Sequence, residues 1–270
     1  MPKPEPDDMI YAIGDIHGQK SQLDRALALI ADDGGPDAQI VFLGDYTDRG
    51  PDSRGIIQTL IDGLDAGKPW HTIKGNHDKM FHDFVTQGAE HDDMIKSGLS
   101  WVNARLGGRQ TLASYGLDGD PAFLHPANGG LETLTSYDMD AGTLSAQELV
   151  LQARDTVPAS HVAFLAHLPL TFETEELLFV HAGIRPGVPM EHQKQEDLIW
   201  IRDGWLEDTR DHGKLVVHGH TALEHPEHYG NRVNLDGGAG YGRPLVPAVF
   251  EGRNCWALTD KGRLPLQPPK

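Results

Sequence analysis

Gly14-Asp15-Ile16-His17-Gly18, Gly44-Asp45-Tyr46-Thr47-Asp48-Arg49-Gly50 and Gly75-Asn76-His77-Asp78 are three short words, each closing an apolar run. Asp15 and Asp45 lie 30 residues apart, and Asp45 and Asn76 lie 31 apart. That interval fits one strand, one helix and the next parallel strand. The strands read as residues 9–13, 40–43 and 70–73. Between them, Leu23, Leu27 and Ile30 recur at helical spacing within 21–31, with Ser21 placed to cap. Ile56, Ile57, Leu60, Ile61 and Leu64 do the same within 53–64, and a third helix over 79–87 follows the last word. This β-α-β-α-β order brings all three words to one edge of one sheet, where α/β proteins build their sites.

Hard oxygen ligands, imidazoles and an arginine at one edge suit metal-assisted phosphate chemistry. Asp15 and His17 are two positions apart, so on an extended segment both point the same way and can share a cation. Asp45 has two carboxylate oxygens and is the natural bridge between two metals, while Asn76 offers a neutral amide oxygen. Further imidazoles come from Phe179-Val180-His181-Ala182-Gly183 and Val217-His218-Gly219-His220-Thr221, each directly after a strand. The mixed oxygen and nitrogen set favours Mn, Fe or Zn over an all-oxygen Mg or Ca site. Two such ions about 3.5–4 Å apart would clamp a phosphate and generate hydroxide at neutral pH. Any one of these words alone is ordinarily a loop residue with a satisfied hydrogen bond, and its glycines ordinary turn residues. Five of them at strand ends make that account improbable.

The 270 residues suffice for a full core. With 39% hydrophobic and 23% charged residues, the composition is that of a soluble globular protein. A net charge of -17 argues against general nucleic-acid binding and against anionic membrane surfaces. It does not oppose one phosphate in a metal-lined pocket, where the ion's own charge dominates. Cys255 is the lone cysteine, so no internal disulfide can form and a reducing compartment is the natural reading. The first eight residues have no basic-then-apolar signal pattern, and no run approaches the roughly 18 apolar residues of a membrane span. The expected location is cytoplasmic.

From about residue 88 to 160 the character changes to a helical insertion or cap set over the motif edge. Residues 95–106 and 144–153 read as helices, with a Gly-, Asp- and Pro-rich stretch between them. Strands then return at 168–173, 177–180, 215–217, 232–235, 246–250 and 254–258. Several are close enough in sequence to be antiparallel neighbours, so the second sheet reads as mixed or antiparallel. The tail over 264–270 reads as a loose end.

In this order, the five words resemble the calcineurin-like metallophosphoesterase superfamily, and particularly its bacterial phosphoprotein phosphatase (serine/threonine phosphatase) branch. The matching blocks run from residue 14 to about 240. The resemblance implies a single domain over 1–270 with the insertion at about 88–160. Its fold would be α/β (α+β): a four-layer α/β/β/α sandwich of two mixed sheets, with a dinuclear site at the strand C-terminal edge. It further implies that Asp15, His17 and Asp45 hold the first metal, and that Asn76, His181 and His220 complete the second around a shared Asp45. The cofactors would be two divalent ions, manganese first, with iron or zinc as alternatives. His77 would be the general acid and Asp48 its orienting carboxylate, a competent pair near neutral pH. Arg49 and Arg202 would grip the phosphate oxygens with planar forks of donors. His218 has three readings: ligand, orienting neighbour, or strand cap. His167 is the other histidine expected to face the site, and Asp236 lines the pocket or makes a tight turn.

Two departures stand out. The third word ends in Asp78 where eukaryotic protein phosphatases usually have Glu, and 105 residues separate Asn76 from His181. Both have a bacterial look. The expected substrate is a phosphomonoester, first of all phosphoserine or phosphothreonine on a protein, attacked directly by metal-bound hydroxide. The alternative is symmetrical hydrolysis of diadenosine tetraphosphate or a related dinucleotide or RNA cap. Asp48 leans towards the first, because the dinucleotide hydrolases that this chain resembles tend to lose that residue. A non-catalytic scaffold would have no need of an intact His77 and Asp48.

Overall fold

The computed structural model describes residues 9–95, 98–117 and 146–269. Strands β1 (Met9–Ile13), β2 (Gln39–Phe42) and β3 (Trp70–Thr72) alternate with helices α1 (Lys20–Gly34) and α2 (Ser53–Asp65). They pair in parallel, β1 with β2 and β2 with β3. Helix α3 (Asn76–Gln87) starts three residues earlier than its apolar spacing predicts. Gly75 caps it and Asp78 accepts from the Gly75 N–H at 3.0 Å, so the third word is itself the first helical turn. At α1 the cap position falls on Gln19 with no side-chain bond, so Ser21 is not the cap. In α2, Asp52 accepts from the Gly55 N–H at 2.8 Å.

Next come α4 (Gly108–Ser114), α5 (Ala146–Thr156) and α6 (Ala159–His167). The helix expected over 95–106 is absent among its described residues. Turns run from 101 to 107, and Gly98 and Gly107 adopt positive φ. Residues 144 and 145 of the next expected helix lie outside the described residues, and its remainder is α5. Helices α5 and α6 pack on α3, and α4 and α6 pack on α2.

The second sheet has the order β4-β5-β6-β8-β7: β4 (Thr171–Glu173), β5 (Leu177–Val180), β6 (Leu215–His218), β8 (Arg232–Asn234) and β7 (Glu227–His228). It is mixed, with β5–β6 and β6–β8 parallel and the outer pairs antiparallel. The last strands join the other sheet. Ala248–Glu251 (β9) pairs antiparallel with β1, and Asn254–Thr259 (β10) and Gly262–Pro265 (β11) extend it. The tail expected to be loose is therefore tied in as far as Leu266, whose N–H reaches Cys255 O at 3.0 Å.

Alternation along each strand makes the layers, because successive side chains take opposite faces. Ala12, Val41, Phe179, Val217, Val233 and Phe250 meet between the sheets. Tyr11, Ile13, Ile40 and Phe42 turn to the helices on one side. Leu178, Val180 and Val216 turn the other way, onto Leu198 and Ile199 of α7 (Gln195–Trp200). The result is a four-layer α/β/β/α sandwich of two mixed sheets. Strands buried on both faces explain the near-continuous apolar runs that the sequence shows.

Buried His161 on α6 joins the helical layer to α2. The Tyr115 hydroxyl donates to its Nδ1 at 2.7 Å, and its Nε2 donates to Gln58 Oε1 at 3.0 Å. Burial, and then the charge of Arg54, pushes this imidazole from 6.5 down to about 4. The folded state therefore refuses a proton that the unfolded chain accepts, and stability drains away as pH falls from about 6.5 towards about 4. Replacing His161 with Gln should flatten that part of the curve, measured as denaturation midpoints across the interval. An equal slope in both proteins would rule this source out.

Candidate metal centre and cleft

The words are laced together through their backbones. Ile16 and His17 N–H both bond Asp45 O, at 3.1 and 2.8 Å. The Asp78 carboxylate accepts the N–H groups of Asp45 (2.8 Å), Tyr46 (2.9 Å) and Gly75. Glycine is required where words touch: a Cβ on Gly44 (φ 92°) would lie 2.5 Å from Gly75 N, and one on Gly50 would strike the His17 carbonyl. Among the described residues, the non-glycine positive-φ positions are His17, Asp45, Asp48, Arg49 and His220, with φ between 47° and 74°. All five belong to the words. Such conformations cost about 1–3 kcal/mol each and persist where surrounding structure over-determines them.

The geometry gathers all six expected ligands. One oxygen or nitrogen from each of His17, Asp45 and His77 falls within 4.8 Å of the others, and the same holds for Asp45, His181 and His220. Asp45 belongs to both groups: His17 Nε2 is 3.6 Å from its Oδ2 and His181 Nε2 is 3.5 Å from its Oδ1. Asp15 joins through Oδ2, 3.9 Å from His17 Nε2, and accepts the His220 N–H at 3.1 Å. Asn76 Oδ1 is 2.9 Å from His181 Nε2 and 2.8 Å from His220 Nδ1.

These residues fit divalent cations on the chemistry of their donors. His17 Nδ1 bonds Thr47 O and His181 Nδ1 bonds Leu43 O, each at 2.8 Å. Those carbonyls keep the protons on Nδ1 and leave both Nε2 lone pairs turned inward. Asn76 Oδ1 and His181 Nε2 then face each other as two acceptors, which a shared cation would reconcile. Burial holds Asp15 and Asp45 well above the usual carboxylate range, Asp236 pushing Asp15 further and Asp78 pushing Asp45. Burial likewise holds His17, His77 and His220 well below their ordinary value and takes His181 to about 3. Neutral imidazoles beside crowded carboxylates are a donor set for metal ions.

His77 Nδ1 lies 2.5 Å from Asp48 Oδ2, while its Nε2 is 3.1 Å from Arg49 Nη2. Arg49 also donates through Nη1 to His17 Nε2, and its guanidinium lies 4.8 Å from the Tyr241 ring centre. Arg202 donates to His220 O at 3.2 Å. Both arginines line a cleft of about 900 Å³ together with Asp45, Asn76, His77, His220 and Asp236. Asp236 both lines it and turns the chain, accepting the Gly238 N–H at 2.9 Å.

Two other histidines are placed elsewhere. His167 ends α6 with Nδ1 on Ala163 O at 2.7 Å, and it is not part of the cleft wall. The expectation that it faces the site is corrected: its ring closes its own helix. His218 is buried behind the metal groups against Trp205, ring centres 5.6 Å apart. His125 lies outside the described residues. Arg185 and Arg243 also stand in the cleft wall, and no sequence motif around either marks it.

The model of the calcineurin-like phosphoesterase family matches residues 9–243. The chain belongs to that family. It is a phosphoester hydrolase of the metallophosphoesterase superfamily, whose dinuclear metal dependence accords with the two residue groups described above. A relative from Anoxybacillus flavithermus, named bis(5'-nucleosyl)-tetraphosphatase PrpE [asymmetrical], is 25% identical over 262 residues, covering 88% of this chain and 89% of its own. One of the same name from Bacillus thuringiensis is 24% identical over 281 residues, 96% of each chain. The crystal structure of a cold-active protein-tyrosine phosphatase from a psychrophilic Shewanella shares the fold, with TM-score 0.58, 16% identity, and coverage of 96% of this chain and 80% of that one. Among the described residues, no helix is long and apolar enough to cross a membrane.

Removing the Asp78 carboxylate would strand three buried N–H groups, each worth about 1–3 kcal/mol when left unpaired. Asp78→Ala is expected to lose at least about 2 kcal/mol of stability by urea denaturation. An unchanged midpoint would show that the words hold together without it.

Proposed function

We propose that Asp15, His17 and Asp45 hold one divalent cation, that Asn76, His181 and His220 hold a second around the shared Asp45, and that phosphoric esters or anhydrides are hydrolysed beside them. Manganese suits the mixed donor set, with iron and zinc as alternatives. Bound there, the ions supply Lewis acidity towards phosphoryl oxygens and activate water at neutral pH.

The chain's own residues do the rest. With Nδ1 held by Asp48, His77 presents Nε2 to the cleft; once Arg49 leaves that nitrogen and the imidazole takes up a proton, Nε2 delivers it to the leaving oxygen. Arg49 now donates to His17 Nε2 and His77 Nε2. A cation on His17 and a proton on His77 both require the guanidinium to swing into the cleft, where its fork meets phosphoryl oxygens beside Arg202.

A dinucleoside polyphosphate is the favoured substrate. The observation that carries this reading is the cleft wall: Arg49, Arg185, Arg202 and Arg243, with Trp200 and Tyr241, on a chain of net charge -17. Two arginines suffice for one phosphoryl group; with Arg185 paired to Asp197 at 2.9 and 2.5 Å, Arg243 is the further donor that suits a longer phosphate chain. Aromatic faces offer bases a place to stack. The name carried by the relatives supports the same class, with asymmetrical rather than symmetrical cleavage. The second reading is a phosphoserine or phosphothreonine on a protein, favoured by Asp48 of the second word, intact and paired with His77 of the third.

Manganese-loaded protein should convert diadenosine tetraphosphate into equal amounts of ATP and AMP, with a higher kcat/KM than on a phosphothreonine peptide, and EDTA should abolish both activities. ADP as the sole product would indicate symmetrical cleavage. Faster peptide turnover would reverse the order of the two readings.

A further inference from the structure

Asp48 is fully buried, and its carboxylate is shared among three donors. Oδ2 accepts from His77 Nδ1 at 2.5 Å and from the Trp101 indole N–H at 2.7 Å, while Oδ1 accepts from the Thr111 hydroxyl at 2.6 Å. The Asp48 N–H returns a bond to Thr111 Oγ1 at 2.7 Å, and the Arg49 N–H bonds Gly107 O at 3.2 Å. Apart from His77, each of these partners comes from residues 101–111, the segment after α3.

Trp101 is clamped for this purpose. Its ring packs on Phe84 and Phe81 of α3, centres 4.8 and 5.6 Å apart. Its own N–H bonds Glu90 O at 2.6 Å, and Gly108 lies so close that a Cβ there would meet the indole at 2.5 Å. The same helix carries His77 in its first turn, so one rigid unit holds both the imidazole and the floor beneath the indole. Burial pushes Asp48 up to about 7, and the donors from Thr111 and Trp101 oppose that push.

We propose that Trp101 and Thr111 are positioning residues for leaving-group protonation: they fix Asp48 as an oriented carboxylate, and Asp48 in turn aims His77 Nε2 at the leaving oxygen. This rests on His77 being the general acid. In that step a water oxygen forms the new bond to phosphorus and gives its proton to solvent. The bond to the leaving oxygen breaks with its electron pair, and that oxygen takes the proton from His77 Nε2. The imidazole is left neutral and regains a proton from solvent. A poor leaving group needs that proton and a good one hardly does, so a positioning role has a signature that simple loss of structure lacks.

The test compares kcat for phenyl phosphate, a poor leaving group, with that for p-nitrophenyl phosphate, a good one, on the manganese-loaded full chain. Trp101→Phe and Thr111→Val should each lower the phenyl to p-nitrophenyl ratio about tenfold, and Thr111→Ser should restore it. His77→Ala is the reference and should lower the ratio at least as much. A wild-type ratio in both Trp101→Phe and Thr111→Val, with a lowered ratio in His77→Ala, would overturn the positioning role alone. A wild-type ratio in His77→Ala would overturn the general-acid reading beneath it. Thr111→Val keeps the test decisive should Trp101→Phe fail to fold.

Discussion

Two carboxylates, Asp15 and Asp45, are buried side by side with Asp236 close behind, and the rest of the structure is organised around that crowding. A buried ion without a partner costs several kcal/mol even after relaxation, so such a cluster is answered either by protons, as the raised Asp15 and Asp45 carboxyls are, or by cations. The fold spends further stability to build it. Five non-glycine residues at positive φ and glycine backbones in van der Waals contact bring the words within reach of each other. Asp78, accepting three N–H groups from two of the words, holds that strained edge together.

Most of the first sheet was legible because its signals are local. The 30- and 31-residue intervals between words mark strand–helix–strand units, and the apolar positions of α1 and α2 follow a 3.6-residue period. The return of β9 to pair with β1 was not legible, since nothing near Ala248 names a partner over two hundred residues away. The stretch around Trp101 misled for a physical reason. Its apolar residues resemble a helical face, but Gly98 and Gly107 permit turns that aim the indole at Asp48. The six residues that converge on the cleft were legible because each sits in a short word at a strand end. Arg185, Arg243 and Thr111 were not, because an isolated arginine or threonine acquires meaning only from the wall it joins.

The layers divide the labour. The inter-sheet core of Phe179, Val217 and Phe250 sets the height at which His181 and His220 emerge beside Asn76. The helical side supplies His77 from α3 and, through Trp101 and Thr111, the carboxylate environment that orients it. The segment that follows the third word thus touches Asp48 through Trp101 and Thr111, and the cleft through Met94, Ile95 and Leu106. In the proposed mechanism, substrate choice and proton delivery therefore meet in one stretch of chain.

The central claim is a pair of cations sharing Asp45. Electron paramagnetic resonance of the protein titrated with manganese tests it most directly. Two ions joined by a common carboxylate are exchange-coupled, so two equivalents should give a multiline coupled spectrum that Asp45→Asn converts to isolated-ion signals. A simple six-line spectrum at every loading, or saturation at one ion per chain, would contradict the account.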